Sequence, residues 1–530
     1  MGAEPLLAVE DLRVDFRTRT GTVQAVRGVG FALAAGRCLA IVGESGSGKS
    51  ATARALLGLA GPGARVTASR MELAGVDLRS LREEDWRTVR GGRIGLVAQD
   101  ALVSLDPLRT VGAEISEALR NHSRRDAPTP VDLLERVHVP EPRERARQRP
   151  HELSGGLRQR ALIASGLAGD PAVLVADEPT TALDVTVQAR VLALLAEERD
   201  RGMALLLITH DLSLVSSFAD DVIVMRAGQV VESGPVPQVL AQPEHTYTKT
   251  LLAAVPGTEP KDPPPAREYV ELLRADGVTY RHRSADLAAR RGVFDVSLAL
   301  AAGEVLGVVG ESGSGKSTLA SLLLGLETPQ RGEITLGGQP WSRTSERARR
   351  SLRGRVQLVQ QDPLGSFDPR HRVERIIRDA LPAGSRHDRA DRIGELLAQV
   401  GLPGELRARR PRQLSGGQRQ RVAIARALAP GPEVIVCDEP VSALDVSVQA
   451  KVLSLFLDLQ RRLGVSLVFI SHDLGVIREV ADRVLVLRDG RVVEQGPTER
   501  VFAEPEHEYT KALLAAVPRA GSRLVGGTTR

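Results

Sequence analysis

Gly43-Glu44-Ser45-Gly46-Ser47-Gly48-Lys49-Ser50 is repeated without change as Gly310-Glu311-Ser312-Gly313-Ser314-Gly315-Lys316-Ser317. Each stretch is a G-x-x-x-x-G-K-S loop. Its glycines, with Ser45 or Ser312 between them, curl the backbone into a nest of N–H groups aimed at phosphate, and the helix expected next adds its positive N-terminus. Lys49 and Lys316 reach the β- and γ-phosphates, and the hydroxyls of Ser50 and Ser317 ligate Mg²⁺. One such loop in a Gly-rich chain can be an ordinary strand-to-helix turn. Two identical copies in the same context point to two nucleotide sites.

The repetition extends well beyond the loops. Val97–Asp100 (V-A-Q-D) matches Val359–Asp362 (V-Q-Q-D), Leu153–Leu157 (L-S-G-G-L) matches Leu414–Gln418 (L-S-G-G-Q), and Val173–Pro179 (V-L-V-A-D-E-P) matches Val434–Pro440 (V-I-V-C-D-E-P). Thr181–Asp184 then pairs with Ser442–Asp445, Ile208–Leu212 with Ile470–Leu474, and Pro243–Pro256 with Pro505–Pro518, always in the same order. Ordered duplication on this scale is a fusion of two equivalent domains rather than a short-period solenoid. The boundaries expected are 1–256 for the first domain with its C-terminal extension, 257–267 for a linker, 268–518 for the second domain with its extension, and 519–530 for a tail. The linker contains three consecutive prolines, which favour extended polyproline II and exclude helix, making it a short, stiff tether. Within each half, apolar runs such as Leu39–Val42, Val173–Ala176 and Ala204–Ile208 alternate with helical stretches such as Val187–Glu198. This predicts an α/β fold, each half built on a mainly parallel sheet covered on both faces, with functional residues at the carboxyl ends of strands.

With 530 residues, 42% hydrophobic and 26% charged, the composition is that of a globular protein with two cores of its own. No run approaches the roughly 18 apolar residues of a membrane span, and Met1–Phe16 lacks the apolar centre of a signal peptide. The chain alone is therefore expected neither to cross nor to enter a membrane. The net charge of +5 would permit a polyanion partner. The densest basic stretches, Arg143–Arg149 and Arg343–Arg355, are interrupted or adjoined by glutamates, which favours solvated helix faces over such a contact. No nucleic acid is expected. The two cysteines, Cys38 and Cys437, each sit in an apolar strand-like run and read as buried thiols, with no disulfide, zinc or iron–sulfur framework.

Asp177-Glu178 and Asp438-Glu439 each close an apolar strand. A strand buried on both faces has no structural use for two carboxylates at its end, so a functional role is favoured over a helix cap. The aspartate can hold Mg²⁺, while the glutamate is placed to polarise the attacking water. His210 and His472 follow another apolar strand. A strand-end histidine alone is more often a capping or core residue; at this distance after an acidic pair, a γ-phosphate contact is the better reading.

Together these motifs make both halves resemble nucleotide-binding domains of the ATP-binding cassette (ABC) family. L-S-G-G lies 23 residues before the strand-end aspartate in each half, Ser154 to Asp177 and Ser415 to Asp438, and it is the family's signature. The resemblance covers nearly the whole chain except linker and tail. It implies a helical subdomain carrying each signature and a head-to-tail sandwich in which the loop of one half faces the signature of the other. One ATP site would join Lys49, Ser50, Gln99, Asp177, Glu178 and His210 to Ser415, Gly416 and Gly417. The second would join Lys316, Ser317, Gln361, Asp438, Glu439 and His472 to Ser154, Gly155 and Gly156. The resemblance also implies ATP and Mg²⁺ as ligands, Gln99 and Gln361 near Mg²⁺, and Phe16 and Tyr280 as stacking partners of adenine, although plain strand packing is the other reading of those two rings. The halves differ at Leu157, where the second has Gln418, at Ser165, where it has Arg426, and at Ala101, where it has Pro363. None of these removes a residue assigned to chemistry, so both sites are expected to be competent, with rates free to differ.

Ser104–Pro107 and Ser366–Pro369 resemble the S-L-N-P element of ATPases that energise oligopeptide, dipeptide, glutathione and nickel importers. The repeated E-H-x-Y-T-K-x-L-L-A-A-V-P resembles the terminal extension of the same group, whose residues do not exclude a helix that merely covers the sheet. The resemblance implies a peripheral subunit at the cytoplasmic face of the cell membrane. Its partners would be two membrane-spanning permease subunits and an extracytoplasmic solute-binding protein. The rival readings are a soluble translation factor of the same family acting on the ribosome, and a fused ATPase of an importer for sugar or nickel.

Overall fold

The computed structural model describes residues 5–18, 21–99, 101–122, 128–181, 183–256, 270–282, 292–383, 386–442 and 444–517. The linker expected at 257–267 and the tail from 519 lie outside these. The chain divides into two compact units, one ending its continuous run at Ala253 and the other spanning Ala254–Val517.

At the centre of the first unit is a six-stranded sheet in the order Gln229–Pro235, Asp221–Arg226, Cys38–Val42, Ala204–Thr209, Val173–Asp177, Ile94–Val97. The last five run parallel, and Gln229–Pro235 closes the edge as an antiparallel hairpin partner of Asp221–Arg226. Every residue of Cys38–Val42, Val173–Asp177 and Ala204–Thr209 is buried, as expected of strands covered on both faces. The second unit repeats the order from the other end: Val356–Val359, Val434–Asp438, Ser466–Ile470, Val305–Val309, Arg483–Arg488, Arg491–Pro497. Cys38 and Cys437 are fully buried free thiols, and burial pushes both well above the usual thiol range.

Each unit also carries an antiparallel sheet for which the sequence gives little notice. In the first, Leu7–Thr18 pairs with Gly21–Leu33, with Ala64–Thr67 and with Arg70–Leu73. In the second, Glu271–Arg281 pairs with Gly292–Ala301 and Arg331–Leu336. A helical layer lies between the strands ending at Val97 and starting at Val173: Val111–Asn121, Pro130–Arg136 and Gly155–Leu167. Its counterpart is Val373–Arg378, Arg386–Gln399 and Gly416–Leu428.

The basic stretch Arg343–Arg355 does not form a solvated face throughout. Arg349 is 5% exposed, and its guanidinium donates to the carbonyls of Gly325, Trp341, Ser342 and Thr344. Arg353 pairs with Glu346 and Arg355 with Glu433. These arginines tie loops together, because a guanidinium offers five donors in a fixed fork that can serve several carbonyls at once.

Candidate active site

Each phosphate loop links a central parallel strand to a helix, Cys38–Val42 to Lys49–Leu56 and Val305–Val309 to Lys316–Leu323. The glycines are required by space as well as by conformation. A Cβ on Gly43, at φ +153°, would lie 2.2 Å from the Met225 carbonyl oxygen, and one on Gly310 would lie 2.2 Å from that of Leu487. Gly48 and Gly315 are left-handed at φ 104° and 105° and start their helices without a side-chain cap, so the first-turn N–H groups stay directed into the loop. Lys49 Nζ donates to the Gly43 and Glu44 carbonyls at 2.6 and 3.0 Å; Lys316 does the same to Gly310 and Glu311 at 2.7 and 2.8 Å. The hydroxyls of Ser47 and Ser314, 3% and 6% exposed, have no hydrogen-bond partner among the described residues. A buried orphan hydroxyl costs about 1–3 kcal/mol, and each lies beneath its loop beside Gly43 or Gly310, closed off from solvent. The uncapped first-turn N–H groups and the lysine are what fit the loops to a nucleotide phosphate.

Asp177 and Glu178 come off the end of their strand next to the loop. Ser50 Oγ donates to Asp177 Oδ1 at 3.2 Å. Glu178 has φ 49° and Glu439 φ 47°, a left-handed backbone that costs roughly 1–3 kcal/mol for such a side chain. Each glutamate N–H donates across to the neighbouring strand, at the carbonyl of Ile208 (2.8 Å) or Ile470 (3.0 Å). This turns the carboxylates toward the histidines: His210 Nδ1 lies 3.3 Å from Glu178 and His472 Nδ1 3.2 Å from Glu439.

The histidines separate the two carboxyls of each pair. Burial pushes Asp177 up against the hydrogen bond from Ser50, and the Glu178 charge adds to the rise; Asp438 is raised by burial and by the Glu439 charge. Burial would also raise Glu178 and Glu439, but the bonds and charges of His210 and His472 outweigh it and hold both below the ordinary glutamate value. His472 is raised: burial opposes its charge, and Glu439 overcomes that opposition. The two carboxyls of each pair are thus shifted in opposite directions.

The units differ in what else holds the glutamate. In the first, Gln99 Nε2 and Thr181 Oγ1 both donate to Glu178 Oε2, at 2.8 and 2.9 Å. In the second, Gln361 donates to Ser442 Oγ at 3.3 Å, and Ser442 donates to the Glu439 backbone carbonyl at 3.1 Å. Thr181 and Ser442 were not assigned a role from the sequence. The available signal was a hydroxyl residue three positions after the glutamate in both copies.

Ser154 and Ser415 cap the helices Gly155–Leu167 and Gly416–Leu428. Ser415 forms a full capping box with Gln418, at 3.1 and 3.3 Å, which Leu157 cannot reproduce. A Cβ on Gly156 would sit 2.4 Å from Val187 Cγ1, and one on Gly417 2.4 Å from Val448 Cγ1. These glycines are thus needed for close helix packing. Gly155 and Gly416, at the first helical positions, meet only a leucine methyl at 3.8 and 3.5 Å. Phe16 and Tyr280 pack, half-buried, against the cores of their units, and Tyr280 makes an edge contact to His282 at 5.1 Å.

Among the described residues no group of three or more His, Cys, Asp or Glu could hold a metal, and no helix is long and apolar enough to cross a membrane.

Residues 26–181 and 293–442 match the ABC transporter family, and 231–283 and 493–528 match the C-terminal region of oligopeptide/dipeptide transporters. The chain is 44% identical to a peptidoglycan transport ATP-binding protein of Agrobacterium fabrum, covering 97% of this chain and 96% of that one. It is 41% identical to an oligopeptide transport ATP-binding protein of Mycobacterium tuberculosis, covering 97% and 98%. Among solved structures, an archaeal ribosome recycling factor in complex with a ribosomal stalk protein aligns over 92% of this chain and 90% of its own at TM-score 0.63 and 19% identity, a likeness of fold alone. The chain belongs to the ABC transporter family, with two ATP-binding, ATP-hydrolysing domains in one polypeptide.

Proposed function

We propose that this chain energises the import of peptides or peptide-like solutes, supplying both ATPase domains of the transporter. The observation that carries this reading is the duplicated terminal region, matched twice to oligopeptide/dipeptide transporters in a chain whose relatives, at 41–44% identity over nearly full length, are named for oligopeptide and peptidoglycan transport. In each half the lysine and loop N–H groups bind the phosphates. The glutamate orients the attacking water and takes its proton as the γ-phosphorus–oxygen bond to the β-phosphate breaks, leaving ADP and phosphate. Because Glu178 and Glu439 are held below the ordinary glutamate value, they are weak bases but fully ionised near neutrality, which favours orienting water over strong proton abstraction. The histidine fixes the carboxylate through Nδ1 and offers its other nitrogen to the γ-phosphate.

Ser50 with Asp177, and Ser317 with Asp438, are the residues that would hold Mg²⁺, with Gln99 and Gln361 beside them. A serine and one carboxylate suffice for Mg²⁺, which usually completes its shell with phosphate and water. The ion would neutralise charge on the phosphates. Head-to-tail pairing of the halves would add Ser415–Gly417 to the Lys49 site and Ser154–Gly156 to the Lys316 site, with Phe16 and Tyr280 against adenine. Two membrane-spanning permeases and an extracytoplasmic binding protein complete the system, with this chain peripheral at the cytoplasmic face. In support, Val103 and Leu108, flanking Ser104–Pro107, are each 82% exposed, an unusual cost for large apolar side chains unless a partner covers them. Purification from native membranes should recover permeases with the chain, and substituting Val103 and Leu108 by aspartate should abolish solute-stimulated hydrolysis while sparing the basal rate. Sedimentation with ribosomes and no copurifying permease would replace this reading with the translation-factor one.

A further inference from the structure

The repeated extension reaches the phosphate loops. The hydroxyl of Tyr247, on the helix Thr246–Ala253, accepts a hydrogen bond from the Glu44 N–H at 3.2 Å. That of Tyr509, on Glu508–Ala515, accepts one from the Glu311 N–H at 3.0 Å. Both tyrosines are 6% exposed, and each ring carries a guanidinium, Arg226 at 4.9 Å or Arg488 at 5.0 Å. The turn into each helix is seated too. Glu232 accepts the N–H groups of Glu244 and His245 at 2.8 and 3.2 Å, and Glu494 those of Glu506 and His507 at 2.8 and 3.1 Å. His245 and His507 accept the N–H of the tyrosine itself through Nδ1, both at 3.0 Å. These seat bonds would serve any helix packed on the sheet; the hydroxyl bond to the loop N–H is the one a mere cover would not need.

The contact matters because of the other end of the same residue. The Glu44 carbonyl receives Lys49 Nζ and the Glu311 carbonyl receives Lys316 Nζ, at 3.0 and 2.8 Å. One loop residue thus has its N–H fixed by the extension while its C=O carries the phosphate-binding lysine. We propose that Tyr247 and Tyr509 are positioning residues for the nucleotide: the extension and the phosphate loop act as one body, so displacing the extension lowers ATP affinity at that loop. The proposal rests on nucleotide binding at the loops and not on the identity of the solute or the permeases.

Tyr247→Phe in a Lys316→Ala background and Tyr509→Phe in a Lys49→Ala background isolate one loop each in the full-length chain, read by titration with a fluorescent N-methylanthraniloyl ATP. Phenylalanine keeps the ring and its cation contact and removes the hydroxyl that accepts the loop N–H. Losing one neutral hydrogen bond predicts about fivefold weaker binding. In the otherwise unmodified chain the same changes should raise KM with kcat nearly unchanged and leave Tm within a few degrees. Unchanged affinity and KM, with or without a lower Tm, would overturn the proposal and leave the tyrosines as mere helix seats. Glu232→Gln and Glu494→Gln loosen the seat without touching the loop. They should speed amide exchange across the extension helices and weaken analogue binding in the same single-loop backgrounds; faster exchange with unchanged affinity would equally overturn the coupling.

Discussion

Glu178 and Glu439 end the same strand of the same fold in the same left-handed turn, yet they are held by different neighbours. In the first unit Gln99, Thr181 and His210 all converge on the Glu178 carboxylate; in the second, among the described residues, His472 does so and Gln361 reaches Ser442 instead. The loops after the glutamines diverge as well. Arg109 fastens the first to the helix that follows it, through Glu114 at 3.2 Å, Glu117 and the Ala113 carbonyl. Arg426 fastens the second to the signature helix, donating to the Ser366 carbonyl at 3.2 Å and lying 5.1 Å over the ring of Phe367. Where the second unit has Arg426 and Phe367, the first has Ser165 and Leu105. Both loops pack against the signature helix of their unit, so duplicated domains can keep the same motifs while changing the side chains that fasten the glutamine loop.

The largest test of this comparison is whether both glutamates matter. The double variant Glu178→Gln, Glu439→Gln should lose about 10² to 10⁴ in steady-state phosphate release while still binding an ATP analogue, since the loops and lysines are untouched. Near-normal turnover would take both residues out of the chemistry. Comparing the two single variants then shows whether the halves share the work equally.

The glutamines should separate the halves. Gln99→Ala removes a bond to an ionised carboxylate, worth about 1.5–3 kcal/mol, whereas Gln361→Ala removes one to a neutral hydroxyl, worth about 1 kcal/mol. Hydrolysis should therefore fall about tenfold more in the first variant than in the second. Equal losses would mean that the Gln99–Glu178 bond does not persist during turnover.

Smaller effects belong to stability. Arg426→Ser should cost the second unit about 1–2 kcal/mol in denaturant unfolding, from a lost carbonyl bond and aromatic contact. Ser165→Arg should gain nothing unless Leu105→Phe accompanies it. The smallest effect is one of pH and should be alike in both halves. Burial raises Glu232 and Glu494, but the neighbouring Thr248 and Thr510 hydroxyls, the N–H groups the carboxylates accept and the charges of His245 and His507 outweigh it and hold both below their ordinary value of 4.5. The stability they lend the extensions is present above pH 4.5 and fades as pH falls through the lowered native value. Amide exchange of helices Thr246–Ala253 and Glu508–Ala515 should accelerate together on acidification, after correction for the intrinsic rate. One helix loosening alone would break the equivalence.

What could be read in advance followed from physical simplicity. Cys38–Val42 and Val173–Ala176 are unbroken apolar runs because both faces are buried, and the loops and acidic pairs stand out because each occurs twice in the same context. Leu7–Thr18 was hard to read because its alternation is broken: Leu7, Ala8 and Val9 are buried in succession, and the register shifts between Val9 and Leu12. The burial of Arg349 was hidden for a different reason, since its partners are main-chain carbonyls that any residue supplies. The same holds for Tyr247, whose partner is a backbone N–H more than two hundred positions away.

The left-handed glutamates carry a last consequence, for anyone selecting this protein for robustness. At residues 178 and 439 a glycine would relieve the backbone at once, so on the role proposed for these glutamates folding and turnover pull in opposite directions at two single positions. A library screened only for survival on heating should accumulate glycine there and yield hardier proteins that no longer hydrolyse ATP. Heat resistance and catalytic competence would have to be selected together.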